Sequence, residues 1–230
     1  MPHSMIEHAV QIPPLGLSGD LIVPDKATGI ILFAHGSGSG RHSTRNRYVA
    51  AVLQDGGLGT LLLDLLTAAE EQVDLRTRHL RFDIGLLAGR LIEASEWLQR
   101  EPSTRGLLTG YFGASTGGGA ALVAAAELPS MIHAVVSRGG RPDLAGPALP
   151  KVKAPTLLIV GGDDYEVIRL NRDALAKMRC EKHLSIVPGA THLFEEPGAL
   201  EQVSEIALNW FKQHLKRGAR NWNGMTNWVE

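Results

Sequence analysis

Two short runs constrain the fold of this chain more than any other feature: IILFA at residues 30–34 and TLLLDLL at residues 60–66 are nearly unbroken aliphatic stretches. A strand with one wet face alternates apolar and polar side chains, whereas a strand covered on both faces reads as a continuous hydrophobic run. Segments of strand length recur at 6–12, 19–23, 29–34, 60–65, 106–112, 132–137, 156–160 and 183–187. Amphipathic helical patterns separate most of them, at 46–54, 75–100, 117–127, 167–178 and 199–215. Within 75–100, Leu80, Ile84, Leu87, Leu91 and Leu98 recur at helical spacing. The first two strands have no helix between them and read as an antiparallel hairpin at one edge. The alternation of the rest predicts an α/β fold, a mostly parallel eight-stranded sheet with helices on both faces.

The 230 residues are 44% hydrophobic, which is enough apolar mass for one large core and predicts a single domain over 1–217. Residues 218–230, GARNWNGMTNWVE, change character, being polar with Trp222 and Trp228. They read either as a tail on the surface or, since tryptophan favours interfaces, as a homodimer contact. A net charge of −1 lacks the basic footprint of a nucleic-acid binder. The single cysteine, Cys180, allows no intramolecular disulfide and suits a reducing compartment. The N-terminus shows no secretory pattern, and no apolar run approaches the roughly 20 residues of a membrane span. The expectation is a cytoplasmic protein with no membrane partner. There is no H-E-x-x-H and no C-x-x-C, and the nine histidines are scattered. Neither a metal site nor a cofactor is expected.

In open α/β sheets the chemistry sits beyond the carboxyl ends of the strands. Residues 113–117, Gly-Ala-Ser-Thr-Gly, follow an apolar run and lead into an alanine-rich helical run. Strand, serine, helix is the order that a nucleophile elbow needs, with Ser115 raised above the sheet and glycines letting backbone pass close by. A serine hydroxyl becomes nucleophilic only when a base takes its proton and fixed donors receive the charge that develops on the attacked carbonyl. The base candidate is His192, in the loop after the eighth strand, and the acid candidates are Asp163 and Asp164 after the seventh. Spacing alone does not separate those two; the other reading of an aspartate there is an N-cap for the following helix. Asp143, in SRGGRPDLAG, is a further acid candidate with the same alternative reading. Two backbone N–H groups fit an oxyanion hole, that of Thr116 at a helix N-terminus and that of Ser37 in the loop after the third strand.

The loop HGSGSG at 35–40 lacks the G-K-[ST] ending of a phosphate cradle. His35 precedes the serine and reads as a side chain bracing that loop. The polar segment at 41–47, with Arg41, His42 and Arg45, either binds an anionic group of a substrate or opens a solvated helix. Arg138 and Arg141 carry the same two readings.

At FAHGSGSGRHSTRNR, GASTGGGAA, LLIVGGDDYEV and GATHLF the chain resembles the α/β-hydrolase superfamily, and within it the small dienelactone-hydrolase-like proteins. The resemblance covers nearly the whole chain. It implies the α/β-hydrolase fold and a serine hydrolase with the triad Ser115, Asp164 and His192. Asp164 is the aspartate that the family's G-x-x-D-x-x-V pattern marks, between Gly161 and Val167. The dienelactone hydrolases proper carry a cysteine nucleophile where this chain has Ser115, which points to a general carboxylesterase acting on a small-molecule ester. The short proline-rich interval at 140–153 leaves little room for a cap domain. The alternatives are an acyltransferase or perhydrolase with the same triad, or a non-catalytic binding module on the same fold. Such domains also occur joined to phosphoribosyltransferase domains.

Overall fold

The computed structural model describes residues 5–216, so the predicted tail at 218–230 lies outside the described residues. β1 (Met5–Ile12) and β2 (Leu17–Pro24) form the expected antiparallel hairpin, with Ile12 opposite Leu17. β2 pairs antiparallel with β4 (Gly59–Leu63). All later pairs are parallel, joining β4 to β3 (Gly29–Ala34), then β5 (Leu108–Ala114), β6 (Ile132–Arg138), β7 (Thr156–Gly161) and β8 (Lys182–Val187). The order β1-β2-β4-β3-β5-β6-β7-β8 matters for function. The chain leaves β3 for β4 on one side and returns past it to β5 on the other. A crevice opens at such a reversal, beyond the carboxyl ends of β3 and β5, where Ala34 lies opposite Gly113.

The continuous apolar strands are explained by two cores. In β3, Ile30, Leu32 and Ala34 face one layer while Ile31 and Phe33 face the other. The first layer is closed by α3 (Ile84–Arg100), α4 (Thr116–Glu127) and α5 (Tyr165–Lys177), the second by α1 (Thr44–Asp55) and α6 (Ala199–His214). Leu87, Leu91 and Leu98 are buried along α3, and each contributes about 1.5–3 kcal/mol of burial. Phe33 and Phe112 meet in the second layer with ring centroids 4.9 Å apart. The interval after β6 forms only a short 3-10 segment, Pro142–Lys151, packed on α4, so among the described residues no large cap stands over the crevice.

One predicted element differs. The helix expected over 75–100 is two helices, α2 (Ala68–Thr77) and α3, with a 3-10 turn at Leu80–Phe82 between them. Arg78 takes a left-handed conformation with φ of 56° and ends α2. The Asp74 carboxylate then turns inward to Arg81 rather than to solvent, and Asp83 caps α3 by accepting from Leu86 N–H at 2.9 Å. The apolar period ran on across the break, and Leu75, the first residue of the expected helix, is exposed near the end of α2. The signal for α2 was the T-x-x-E at 67–70. There the Thr67 and Glu70 side chains bond each other's backbone N–H as a capping box. The fifth strand lies two residues later than predicted and reaches Ala114, directly before the serine.

Candidate active site

Ser115 joins β5 to α4 with φ of 51° and ψ of −122°, a strained conformation for a residue with a side chain. The strain is held from several directions. Ser115 N–H donates to the Arg138 carbonyl at 3.2 Å, and the Ser115 carbonyl accepts from Gly118 and Arg141, each at 3.0 Å. Glycine is required at 113, because a Cβ there would lie 2.6 Å from the Gly117 carbonyl oxygen. At 117 a Cβ would collide with the carbonyls of Ala34 and His35. The end of β3 and the turn into α4 come together only because neither residue has a side chain.

The loops after β7 and β8 are tied to each other, with Asp163 N–H donating to the Ala190 carbonyl at 3.0 Å. Asp163 points its side chain to solvent. Asp164 stands at the N-cap position of α5 but makes no capping bond. Its Oδ2 accepts instead from His192 Nδ1 at 2.7 Å. Of the two aspartates that spacing left unresolved, Asp164 is therefore the one in contact with the histidine. A neutral imidazole that donates through Nδ1 has Nε2 as its acceptor. His192 and Ser115 line one cavity of about 250 Å³, together with Gly36, Ser37, Arg45 and Arg138.

Across the cavity is the loop after β3. His35 is partly buried and makes two bonds that define its tautomer. Nδ1 donates to the Gly36 carbonyl at 2.9 Å, and Nε2 accepts from Leu65 N–H at 3.0 Å. Burial, opposed by the Gly36 bond, lowers its pKa below the usual histidine value, which keeps the ring neutral. Gly36 packs so closely on the elbow that a Cβ would lie 3.2 Å from Ser115 Cβ. Behind the loop, Arg81 is held by Asp74 at 2.5 Å and would come within 3.1 Å of a Cβ at Gly38. Thr116 is the first residue of α4, so its N–H has no partner inside the helix. The Ser37 N–H enters no backbone hydrogen bond among the described residues.

The polar segment at 41–47 divides. Arg41 turns away from the cavity: its N–H donates to Asp64 Oδ1 at 2.7 Å, its guanidinium pairs with Asp64, and its Nε lies 3.4 Å from Asp20. His42, like Arg41, is not part of the cavity lining. Arg45 does line it and pairs with Glu195 at 3.0 Å. Arg141 is engaged by Asp143 at 2.8 and 2.7 Å, which gives that aspartate a partner other than a helix end. Arg138 is only 7% exposed and has no carboxylate partner among the described residues. Its Nη2 donates to Asn46 Oδ1 at 3.3 Å, and its guanidinium lies 5.9 Å from the Phe194 ring centroid. Burial, and next the Arg45 charge, pull its pKa down to about 10. Asn46 and Leu193, which also line the cavity, carried no sequence signal of their own.

The family model described as the dienelactone hydrolase family matches residues 66–230. That span contains Ser115, Asp164 and His192, while the loop with His35 and Ser37 precedes it. The crystal structure of a dienelactone hydrolase from Anabaena variabilis is 63% identical, with a TM-score of 0.91, and the match covers 93% of this chain and 100% of that one. Two Mycobacterium tuberculosis proteins, from strains CDC 1551 / Oshkosh and H37Rv, each provisionally named a phosphoribosyl transferase, are 59% identical over 202 residues. The match covers 88% of this chain but 45% of each relative, so the chain spans about half their length. A carboxyl esterase from the mycorrhizal fungus Tuber melanosporum shares the fold at 17% identity, with a TM-score of 0.69 over 94% of this chain and 88% of the esterase.

Proposed function

The chain belongs to the dienelactone hydrolase family, and we propose that within it the protein is a serine carboxylesterase acting on small acyl esters. One observation carries the reading: a strained Ser115 shares a cavity with a histidine whose Nδ1 is held by Asp164 at 2.7 Å. His192 Nε2 takes the Ser115 proton as Oγ bonds to the ester carbonyl carbon. The negative charge moves to the carbonyl oxygen, where the N–H groups of Ser37 and Thr116 receive it. The tetrahedral species collapses, the C–O bond to the alcohol breaks, and the imidazolium returns its proton to the leaving alcohol. Water then attacks the acyl-enzyme with His192 again as base, and the acid and free Ser115 are released. Asp164 keeps its proton-free form throughout, orienting the ring and stabilising the imidazolium.

Treatment with a fluorophosphonate followed by peptide mapping tests this. The expected adduct is on Ser115, and Ser115→Ala should stay folded while losing nearly all hydrolysis of p-nitrophenyl acetate. An adduct on another residue, or none, overturns the assignment. With no large cap over a cavity of about 250 Å³, long acyl chains remain wet, and each wet methylene forgoes about 0.8 kcal/mol of burial. Among p-nitrophenyl esters, kcat/KM should peak at about two to four acyl carbons.

A further inference from the structure

The base of the proposed triad has little direct support. The His192 side chain is 39% exposed, and its ring makes one hydrogen bond among the described residues, to Asp164. His192 and Leu193 are the two central residues of a tight turn, closed by the Phe194 N–H donating to the Thr191 carbonyl at 3.3 Å. Phe194 itself has φ of 56°. A left-handed backbone crowds Cβ against the carbonyl oxygen that follows, so a bulky residue there is strained. Such strain persists only where the surroundings over-determine it. The same loop turns left-handed at Gly189 and Gly198, where a Cβ would meet nothing within 4 Å. Between two positions that use glycine, the chain carries a phenylalanine at the third. The turn needs no side chain there, so the ring is what position 194 adds.

The ring goes where it can hold the turn. It is 1% exposed and belongs to the core layer closed by α1 and α6. It meets the residue that follows β6: a Cβ at Gly139 would lie 3.3 Å from Phe194 Cε2, 3.1 Å from the His192 carbonyl oxygen and 3.5 Å from His192 Nδ1. The Gly139 N–H is bonded in turn to the Ile159 carbonyl of β7 at 2.7 Å. One residue fixed to the sheet therefore touches both the buried ring and the nitrogen that Asp164 holds. Gly161 lies against the start of the turn, where a Cβ would come 2.6 Å from the Thr191 carbonyl oxygen, the acceptor of the Phe194 N–H. The turn is gripped at both ends, with His192 between. We infer that Phe194 is a positioning residue for His192. Its buried ring pins the closing end of the turn and so aims the imidazole into the cavity that holds Ser115. Burial of the ring offsets the strain of the left-handed backbone. The inference rests on His192 being the base, since it concerns what holds that residue in place.

Phe194→Gly and Phe194→Leu test this with p-nitrophenyl acetate, at a temperature where circular dichroism shows each variant folded. Glycine accepts the left-handed backbone without strain and removes the ring, whereas leucine keeps a shorter apolar side chain in its place. His192 is the base both when the acyl-enzyme forms and when water releases it. Misplacing it slows both steps together, which lowers kcat and leaves KM in place. Since a displacement of about 1 Å costs on the order of 10²-fold in rate, kcat should fall about 100-fold in Phe194→Gly and about fivefold in Phe194→Leu. KM should stay within about twofold of wild type in both. Labelling of Ser115 by a fluorophosphonate should slow in the same order. A ring with only a packing role would lower the thermal midpoint and leave kcat per folded molecule unchanged. A folded variant of either kind with kcat within about twofold of wild type overturns the inference, as does one with KM raised and kcat kept. If Phe194→Gly fails to fold, Phe194→Leu decides by itself. Absence of Ser115-dependent hydrolysis in the wild type would instead sink the esterase reading, so the two failures are told apart.

Discussion

The loop after β3 and the loops after β6, β7 and β8 border the same cavity, yet their polar groups are arranged in opposite ways. On the β3 side His35 uses both ring nitrogens, and Arg41 meets the carboxylates of Asp64 and Asp20. On the other side His192 has one nitrogen held by Asp164, and among the described residues the Arg138 guanidinium hydrogen-bonds only to an amide. A saturated set of bonds holds geometry and has nothing left to offer a ligand. An unsaturated set, buried at a cost, is useful only when something arrives to complete it. For the side chains of His35 and Arg41 against those of His192 and Arg138, the contrast proposes scaffold on the first side and chemistry on the second, and it can be attacked from both. The Ser37 N–H, with no backbone partner among the described residues, is the one group the β3 loop offers a ligand in the proposed mechanism.

The largest expected effect is on the open side. Asp164→Asn should lower kcat for p-nitrophenyl acetate on the order of 10⁴-fold, by analogy with serine-protease triads, because the imidazole loses the partner that sets its tautomer. Asp163→Asn, one residue away and exposed, should change kcat far less. The reverse pattern would move the acid to Asp163.

Next comes the closed side. Arg41→Met leaves Asp64 and Asp20 without their cation, and urea denaturation should show a loss of about 1–3 kcal/mol. If kcat/KM fell instead while stability held, Arg41 would belong with the substrate and the contrast would fail.

A smaller effect is expected from His35. Its Nε2 accepts from Leu65 N–H, so a proton there breaks the bond, and burial already holds its pKa below the ordinary 6.5. The unfolded chain binds that proton where the folded one resists it. The contribution of His35 is therefore complete above about pH 6.5 and is lost as pH falls through the lowered native value. The thermal midpoint of the wild type should drop more steeply between about pH 7 and pH 5 than that of His35→Gln. Parallel slopes would mean that the ring is not held neutral by the fold.

The smallest stability change is expected at Arg138. Replacing an unpaired buried cation by an apolar side chain of similar length removes a desolvation cost, so Arg138→Met should be within about 1 kcal/mol of wild type or more stable. A loss as large as that of Arg41→Met would make Arg138 a structural residue like its counterpart.

Most of the fold was legible because its signals are local. Continuous aliphatic runs marked the strands covered on both faces, and the missing helix between the first two marked the hairpin. The break in the segment 75–100 was harder to read. Its apolar period continued through the turn, while the interactions that stop α2 are a left-handed Arg78 and an Asp74–Arg81 pair, neither of which alters that period. The capping box at Thr67 and Glu70 was a local signal that hydrophobic periodicity outweighed.

The candidate site divides along the same line. By itself the sequence determined that a serine between glycines follows a buried strand, that a histidine and two aspartates follow later ones, and that glycines stand where backbones must nearly touch. Those are properties of neighbours in the chain. Spacing left Asp163 and Asp164 open and the family pattern marked Asp164; only the tertiary structure brings Asp164 to His192, across 28 positions, and Arg138 to Asn46 across 92. Only there, too, does Arg41 find its carboxylate 23 residues away. Arginines at strand ends look alike in a sequence. Their difference is whether a counter-charge is within reach, and reach is set by which strand ends the sheet order makes adjacent.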